Sequence, residues 1–524
     1  MTNSVIRALA LLSVLVAGCG GLSRPCAAPG PGCTTAADVE AELALILAIE
    51  GSRVFEADRL AALARHEAPP VRRWAVRAVG RLRDHRGVPI VHGALDDPDP
   101  EVRAEAAFAA GLIRDTTATG LVAKLAALAL DPAEAEPVRV EAVGALARTP
   151  GAEARAAISR ILESPDVPPA VLREALITAW RVRQPGPILD RVAQHLDAED
   201  PERRWRAAYA LMRSGVASAV PVVRRVLADP DHRVREHAVR ALSAARADSV
   251  GEREAAVNDL IRAIADPHPH VRINAIRALA GYGDERAGDV LIAAASDPDP
   301  NVAVAALGAL GSVPGTAARE ALARFATDGA FARVATAAGI RPRDGRADKA
   351  VAGDVSLPID APPRDNAFYA TVVRSLVLPD LIEGRRPRVR VHTTAGSFVI
   401  ELAAAEAPLT VHNFLELARR GYFDGVRWHR VVPNFVIQGG DPTGTGSGGP
   451  GYAIRDEVNR IRFTRGVVGM ALSGPDTGGS QFFVTHSPQP HLDGDFTIFG
   501  RVIEGMDVVD RTVQDDWIEK IEIL

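Results

Sequence analysis

Trp428-His-Arg-Val-Val-Pro-Asn-Phe-Val-Ile-Gln-Gly-Gly-Asp441 is the stretch on which the C-terminal fold turns, and Gly469-Met-Ala-Leu-Ser-Gly-Pro-Asp-Thr-Gly-Gly-Ser-Gln-Phe-Phe-Val484 is its companion. Upstream, apolar Val389, Val391, Phe398 and Ile400 alternate as on a half-buried sheet, and Thr394-Ala-Gly396 breaks the run as a hairpin turn would. A helix is expected over Thr410 to Arg420, with Thr410 available to cap it. A Gly-rich meander then runs through Phe499-Gly500 to Ile521-Glu-Ile-Leu524.

The order and spacing of these two runs resemble the active-site signature of the cyclophilins, the prolyl cis/trans isomerases, over Arg385 to Leu524. The resemblance implies a closed, eight-stranded antiparallel β-barrel with two capping helices, the first starting in Pro408-Leu-Thr-Val-His-Asn-Phe-Leu415. It implies no metal and no cofactor, because the chemistry is rotation about an amide whose barrier is roughly 18–20 kcal/mol. By position, Arg430 would be the catalytic donor, a guanidinium that stays charged and offers a rigid fork. Phe435, Val436, Phe483 and Leu492 would line the proline pocket. Gln438 and Gln481 would bond substrate backbone or hold Arg430, while Ala471 and Leu472 would flank the peptide, Leu472 through its backbone.

Two further substrate-binding positions depart from the familiar eukaryotic pattern: His491 stands where Trp is often found, and Phe496 where His is common. The first implies weaker cyclosporin binding, the second a more apolar pocket, and Val436 in place of a longer Met a looser one. An uncompensated internal Arg costs several kcal/mol, so Arg430 should face solvent. Gly444-Thr-Gly-Ser-Gly-Gly-Pro-Gly451 lacks the Gly-Lys-Ser/Thr of a phosphate loop and is a barrel loop. His412, His429 and His486 do not have the spacing of metal ligands.

At the other end, Arg7 followed by the apolar run Ala8 to Val16 is a secretory signal over residues 1–18, and Val16-Ala-Gly-Cys19 resembles a lipobox with Cys19 as the lipidated residue. The expectation is a lipid-anchored protein of the cell envelope facing the periplasm, at the outer membrane rather than the inner because Gly20 is not the Asp of a retention cue. Residues 19–37 form a Pro/Gly-rich tether in which Cys26 and Cys33 are able to form a disulfide staple.

Residues 38–340 hold eight copies of one unit, aligned on Val71, Val102, Val138, Val171, Arg203, Val234, Val271 and Val302. Ala stands four residues after every anchor, from Ala75 to Ala306, so a narrow small-residue seam brings helices close. With Asp-Pro pairs at Asp97, Asp131, Asp200, Asp229, Asp266 and Asp297, the unit resembles a HEAT repeat. Such units bury their apolar faces only by stacking, which builds an α-solenoid and a concave surface suited to a protein partner. Arg follows the anchor at Arg72, Arg103, Arg139, Arg204, Arg235 and Arg272. These are expected to ladder with Asp of neighbouring turns rather than to track nucleic acid, given a net charge of −5.

A chain of 524 residues exceeds what one core supports, so a multidomain chain is expected: solenoid, then a Pro-rich linker at 341–384 with a short helix near Asn366 to Leu378, then the barrel at 385–524. The linker implies a barrel mobile relative to the solenoid. The function implied is isomerisation of X-Pro bonds in exported, proline-containing clients, with the solenoid binding a client or partner. The alternative is an envelope scaffold whose barrel only binds proline-containing segments.

Overall fold

The computed structural model describes residues 36–342 and 364–524, apart from 116, 150, 183–185 and 248. Cys19, Cys26, Cys33 and the signal segment lie outside the described residues. Among those described, no helix is long and apolar enough to cross a membrane.

Each anchor is the third residue of a helix: Pro69–Leu82, Pro100–Ile113, Glu136–Arg148, Pro169–Thr178, Pro201–Ser214, His232–Ala241, Pro269–Ala280 and Pro300–Leu310. Proline suits the first turn, where its missing N–H has no partner to lose. The preceding Asp caps several of these starts: Asp99, Asp200, Asp231 and Asp299 accept from the backbone two residues on. All seven Val anchors are buried, whereas Arg203 is half-exposed and bonds His195 at 2.9 Å.

The expected ladder is present. Arg72, Arg204, Arg235 and Arg272 pair with Asp97, Asp229, Asp266 and Asp297 of the next repeat at 2.7–2.8 Å. The same Asp residues accept the backbone N–H two residues ahead, at Asp99, Asp231, His268 and Asp299. The pattern breaks after Val102 and Val138: Arg103 pairs with Glu134 instead of Asp131, and Arg139 donates to the Ala129 carbonyl.

The C-terminal part is a nine-stranded antiparallel sheet: β1 (Arg388–Thr393), β2 (Gly396–Leu402), β3 (Val426–Arg427), β4 (Arg430–Val432), β5 (Val436–Gly439), β6 (Val467–Met470), β7 (Phe482–Thr485), β8 (Ile498–Glu504) and β9 (Trp517–Ile523). Its order is β3-β9-β1-β2-β8-β6-β7-β5-β4. β1 and β2 form the expected hairpin, Thr393 facing Gly396. The expected closed barrel is not seen among the described residues: β3 and β4 end the sheet unpaired with each other, joined only through Trp428-His429. The sheet is curled rather than sealed.

Helices Pro408–Arg419 and Met506–Arg511 pack on the sheet. Thr410 does not cap the first of them, because Pro408 starts that helix two residues earlier. Its N-terminal amides at Leu409 and Thr410 instead donate to the Glu457 carboxylate at 3.2 and 2.7 Å.

The expected mobility of the sheet against the solenoid is corrected by the way they meet. Helix Asn366–Val372 continues through a π-helical turn, Val373–Val377, into Leu378–Glu383, and packs on both Ala36–Ser52 and Pro408–Arg419. The approach is close: a Cβ at Gly51 would fall 2.0 Å from the Tyr369 hydroxyl. One apolar core runs from Leu43 through Tyr369 and Val377 to Ile521.

The anchor helices face the sheet along the solenoid. Arg81 donates to the carbonyls of Val458 and Glu406 at 2.8 and 2.7 Å, and Arg333 pairs with Asp516 at 2.6 Å near the last repeat. Between them Arg77, fully buried, pairs with Glu105 at 3.0 Å and Glu406 at 2.9 Å, and Arg460 and Arg462 reach Glu141 at 3.6 and 3.2 Å. The surface left by stacking therefore receives the chain's own C-terminal domain.

Removing one partner of a buried pair strands the other charge. Glu105→Ala should lower stability by about 3–5 kcal/mol, seen as a fall in the melting temperature of the whole chain. A change below about 1 kcal/mol would contradict the docking described.

Candidate functional site

Strands β5, β6 and β7 sort side chains into two layers by their period of two. Ile437, Val468, Phe482 and Val484 point into the sheet's core with Trp428. Val436, Val467 and Phe483 point the other way and, with Leu492, Ile498 and Phe463, form a separate apolar cluster against which Phe435, Ala471, Phe496 and Ile461 pack. Phe435, Val436, Phe483, Leu492, Phe496 and Ala471 are thus brought together in one cluster. Phe463 and Ile461 were not anticipated, since they lie between the two motifs in a segment without regular strand. Phe463 stacks on Phe483 with ring centroids 5.6 Å apart, and Phe496 meets Phe483 edge-on at 6.0 Å.

Gly469 is required by this aromatic floor: a Cβ there would lie 2.6 Å from Phe483 and 2.8 Å from Phe463. Leu472 is outside the cluster, its side chain beside Gly478.

At the rim, Arg430 opens β4 directly opposite Gln438 of β5. Its Nη1 donates to Gln438 Oε1 at 3.1 Å, and Gln438 Nε2 donates to Gln481 Oε1 at 3.1 Å. Gln481 Nε2 in turn donates to the carbonyls of Gly446 and Gly448 at 3.0 and 2.9 Å, so the Gly-rich loop anchors the relay. Arg430 is exposed, with its guanidinium 5.6 Å from the Phe435 ring centre. Partial burial lowers its pKa from the ordinary value, but a guanidinium remains charged at any working pH. His491 stacks on Phe435 at 5.6 Å and is neutral: burial and then Arg213, Arg240 and Arg181 bring its pKa down to about 3.

The geometry is an apolar slot with the Arg430 guanidinium and the Gln438 and Gln481 amides on its edge. It holds no nucleophile paired with a base, and it suits a neutral ring such as proline with its amide facing Arg430.

Residues 388–523 match the family described as cyclophilin type peptidyl-prolyl cis-trans isomerase/CLD, and residues 57–136, 189–266 and 257–340 match HEAT repeats. A peptidyl-prolyl cis-trans isomerase of Arabidopsis thaliana is 51% identical over 141 residues, which are 26% of this chain and 86% of that protein. The chain belongs to the cyclophilin family. A mouse peptidyl-prolyl cis-trans isomerase-like 1 is 48% identical over 149 residues, 26% of this chain and 90% of that protein. The solved structure of a Cryptosporidium parvum cyclophilin type isomerase is 34% identical, covering 27% of this chain and 98% of that one, with a TM-score of 0.26. The C-terminal part is accordingly a cyclophilin-type peptidyl-prolyl cis-trans isomerase domain, preceded by a HEAT-repeat region.

The solenoid supports the cyclophilin site from behind. Asn434, in the left-handed region at φ 60°, donates to Glu236 Oε1 at 2.6 Å, and Arg277 donates to the Pro433 carbonyl at 2.7 Å. The loop carrying Phe435 is therefore held by two solenoid helices. A cavity of about 870 Å³ lies behind it, lined by Trp205, His232, Glu236, His270, Asn434 and Asp493 among others. Burial pushes Glu236 and Asp493 up to about 7. Docking contacts Glu105, Glu141 and Glu174 share one offset, three residues after successive anchors.

Two outcomes follow from this geometry. Gly469→Ala should force Phe463 and Phe483 apart and raise KM for a proline peptide several-fold, measured by exchange kinetics. Glu236 has a folded pKa above its unfolded value, so the folded state binds its proton more tightly and stability falls as pH rises from about 4.5 toward 7. Glu236→Gln should therefore melt higher than wild type, with a gap that widens from pH 5 to pH 7 and then levels off.

Proposed function

We propose that Arg430 is the catalytic group of this isomerase domain and that its clients are proline-containing segments of exported proteins. As the X-Pro amide twists, resonance is lost and the prolyl nitrogen gains a lone pair. A fixed cationic donor stabilises that state and neither planar one, which is what acceleration requires. The observation that carries this reading is the exposed Arg430 guanidinium, held by Gln438 at 3.1 Å beside the Phe435 ring.

In this reading Phe435, Val436, Phe483, Leu492 and Phe496 hold the ring, Phe463 closes the floor, and His491 shields one wall. Gln438 and Gln481 fix Arg430 and offer amides to the substrate backbone, while Ala471 and Leu472 border the chain. Cys19 would carry the lipid anchor and place the domain in the envelope, facing the periplasm. Support for that placement is the Val16-Ala-Gly-Cys19 run after an apolar leader. Because the anchor helices meet the cyclophilin domain, a protein partner would use the remaining solenoid helices, such as Val88–Ala94 and Gly288–Ala294.

The test is the isomerisation rate of an Ala-Pro peptide with the full chain. Uncatalysed exchange takes on the order of tens to hundreds of seconds, so acceleration is readily seen. Arg430→Ala should cut kcat/KM roughly a hundredfold or more. Unchanged catalysis in a folded variant would remove Arg430 from the role, and a folded wild type without acceleration would favour passive binding of proline segments.

A further inference from the structure

The inward-facing arginines of the solenoid fall into two groups. Those of the early repeats have carboxylates: Arg73 and Arg77 pair with Glu105, and Arg460 and Arg462 of the cyclophilin domain pair with Glu141. Those beside the proline pocket form no ion pair among the described residues. Arg181 donates to the carbonyl of His491 at 3.1 Å. Arg181 and Arg213 both lie over the Trp180 ring, at 4.7 and 4.6 Å, and Arg213 Nε is buried without a partner. Arg277 donates to the carbonyl of Pro433, next to Asn434 and Phe435, and is itself open to solvent. Arg240 stands six residues after Val234, as Arg277 stands six after Val271, so equivalent positions on adjacent helices carry the same charge.

These side chains act on one another and on the site. Burial lowers His491 and Arg277 first; Arg213, Arg240 and Arg181 then depress His491 further, and Arg240 and Arg430 depress Arg277. The carboxylates within electrostatic reach are committed elsewhere. Glu236 accepts from Asn434, Asp493 accepts from the Phe463 amide, and Asp495 pairs with Arg114. Asp495 and Asp493 act on Arg181 and Glu236 acts on Arg240 only through space, none forming an ion pair with them among the described residues, so an anionic ligand would relieve the mutual repulsion and supply the hydrogen bonds these guanidiniums lack.

We propose that Arg181, Arg213, Arg240 and Arg277 make the site selective for proline segments that carry an anionic side chain, carboxylate or phosphate, within two residues of the proline. The inference rests on the isomerase reading above and specifies its substrate class. The anion would lie on the side bounded by Phe435 and His491, where Arg213 Nε is buried without a partner and the Arg240 guanidinium forms no hydrogen bond or ion pair among the described residues. Ala471 and Leu472 border the other end of the site and present no such charge.

The test uses the full chain and a peptide series with Ala, Glu or phosphoserine at each of the two positions on either side of proline. Exchange kinetics should show kcat/KM on the order of tenfold higher for an anionic peptide at low salt, as one charge-assisted hydrogen bond gives. The advantage should shrink toward unity in Arg240→Gln, and in wild type as salt is raised. The salt series needs no variant and so survives a misfolded mutant. Preference for Glu alone, phosphoserine alone or both supports the proposal and names the source of the anion. Equal kcat/KM for all peptides, with Ala-Pro still turned over, overturns it and leaves the isomerase reading intact; no turnover of any peptide overturns both.

Discussion

The cluster of Arg77, Glu105, Glu406 and Arg460 is the interaction on which the arrangement depends. Arg77 and Glu105 retain almost no exposure, so neither has water to fall back on. Two desolvated ions are tolerated only when geometry and extra hydrogen bonds compensate. Here Arg77 also donates to the Ala405 carbonyl, and Glu105 lies within reach of Arg73 and Arg460. Displacing the cyclophilin domain would remove Glu406 and Arg460 together and leave the solenoid pair half-satisfied. The cluster therefore specifies one docked position, where an apolar contact alone would tolerate sliding.

Arginine serves three different ends in this chain. On the repeat edges it is a ladder, tying four anchor helices, through Arg72, Arg204, Arg235 and Arg272, to the Asp-Pro turn of the next repeat. On the docking face it pairs with Glu105, Glu141 and Glu174 across the domain boundary. Beside the apolar cluster of Phe435, Val436 and Phe483 it donates to carbonyls of neighbouring loops and forms no ion pair among the described residues. The same residue type thus supports the scaffold, the seam and the rim, and only its partners distinguish these uses. The consequence for function is that the walls of the site are shared: Arg181 and Arg277 belong to repeats, yet they hold the loops bearing His491 and Phe435.

Much of this was legible in the sequence, where local pattern decides the structure. The two motifs placed Arg430, Gln438 and the pocket aromatics together, because strand register converts spacing into a shared face. The repeat phase located every anchor helix, and the Arg-to-Asp spacing foretold the ladder. What remained hidden depends on partners distant in the chain. Glu457 caps a helix start that Thr410 was expected to cap, from nearly fifty residues away. The helix from Asn366 onward looked like linker because nothing local shows that Tyr369 meets Gly51. The burial of inward residues such as Arg77 and Glu105 has no local signature, since it depends on the docked cyclophilin domain. Closure of the barrel was expected from the family resemblance, whereas the sheet ends at β3 and β4.

The most direct test of the docked arrangement is the distance distribution between spin labels at Val250 on the solenoid and Asp424 on the cyclophilin domain, both exposed positions. One fixed docked position predicts a single narrow distribution that persists in high salt, because the ion pairs that define it are buried. A broad or multimodal distribution would show two bodies moving independently, and would contradict a site whose walls are shared between them.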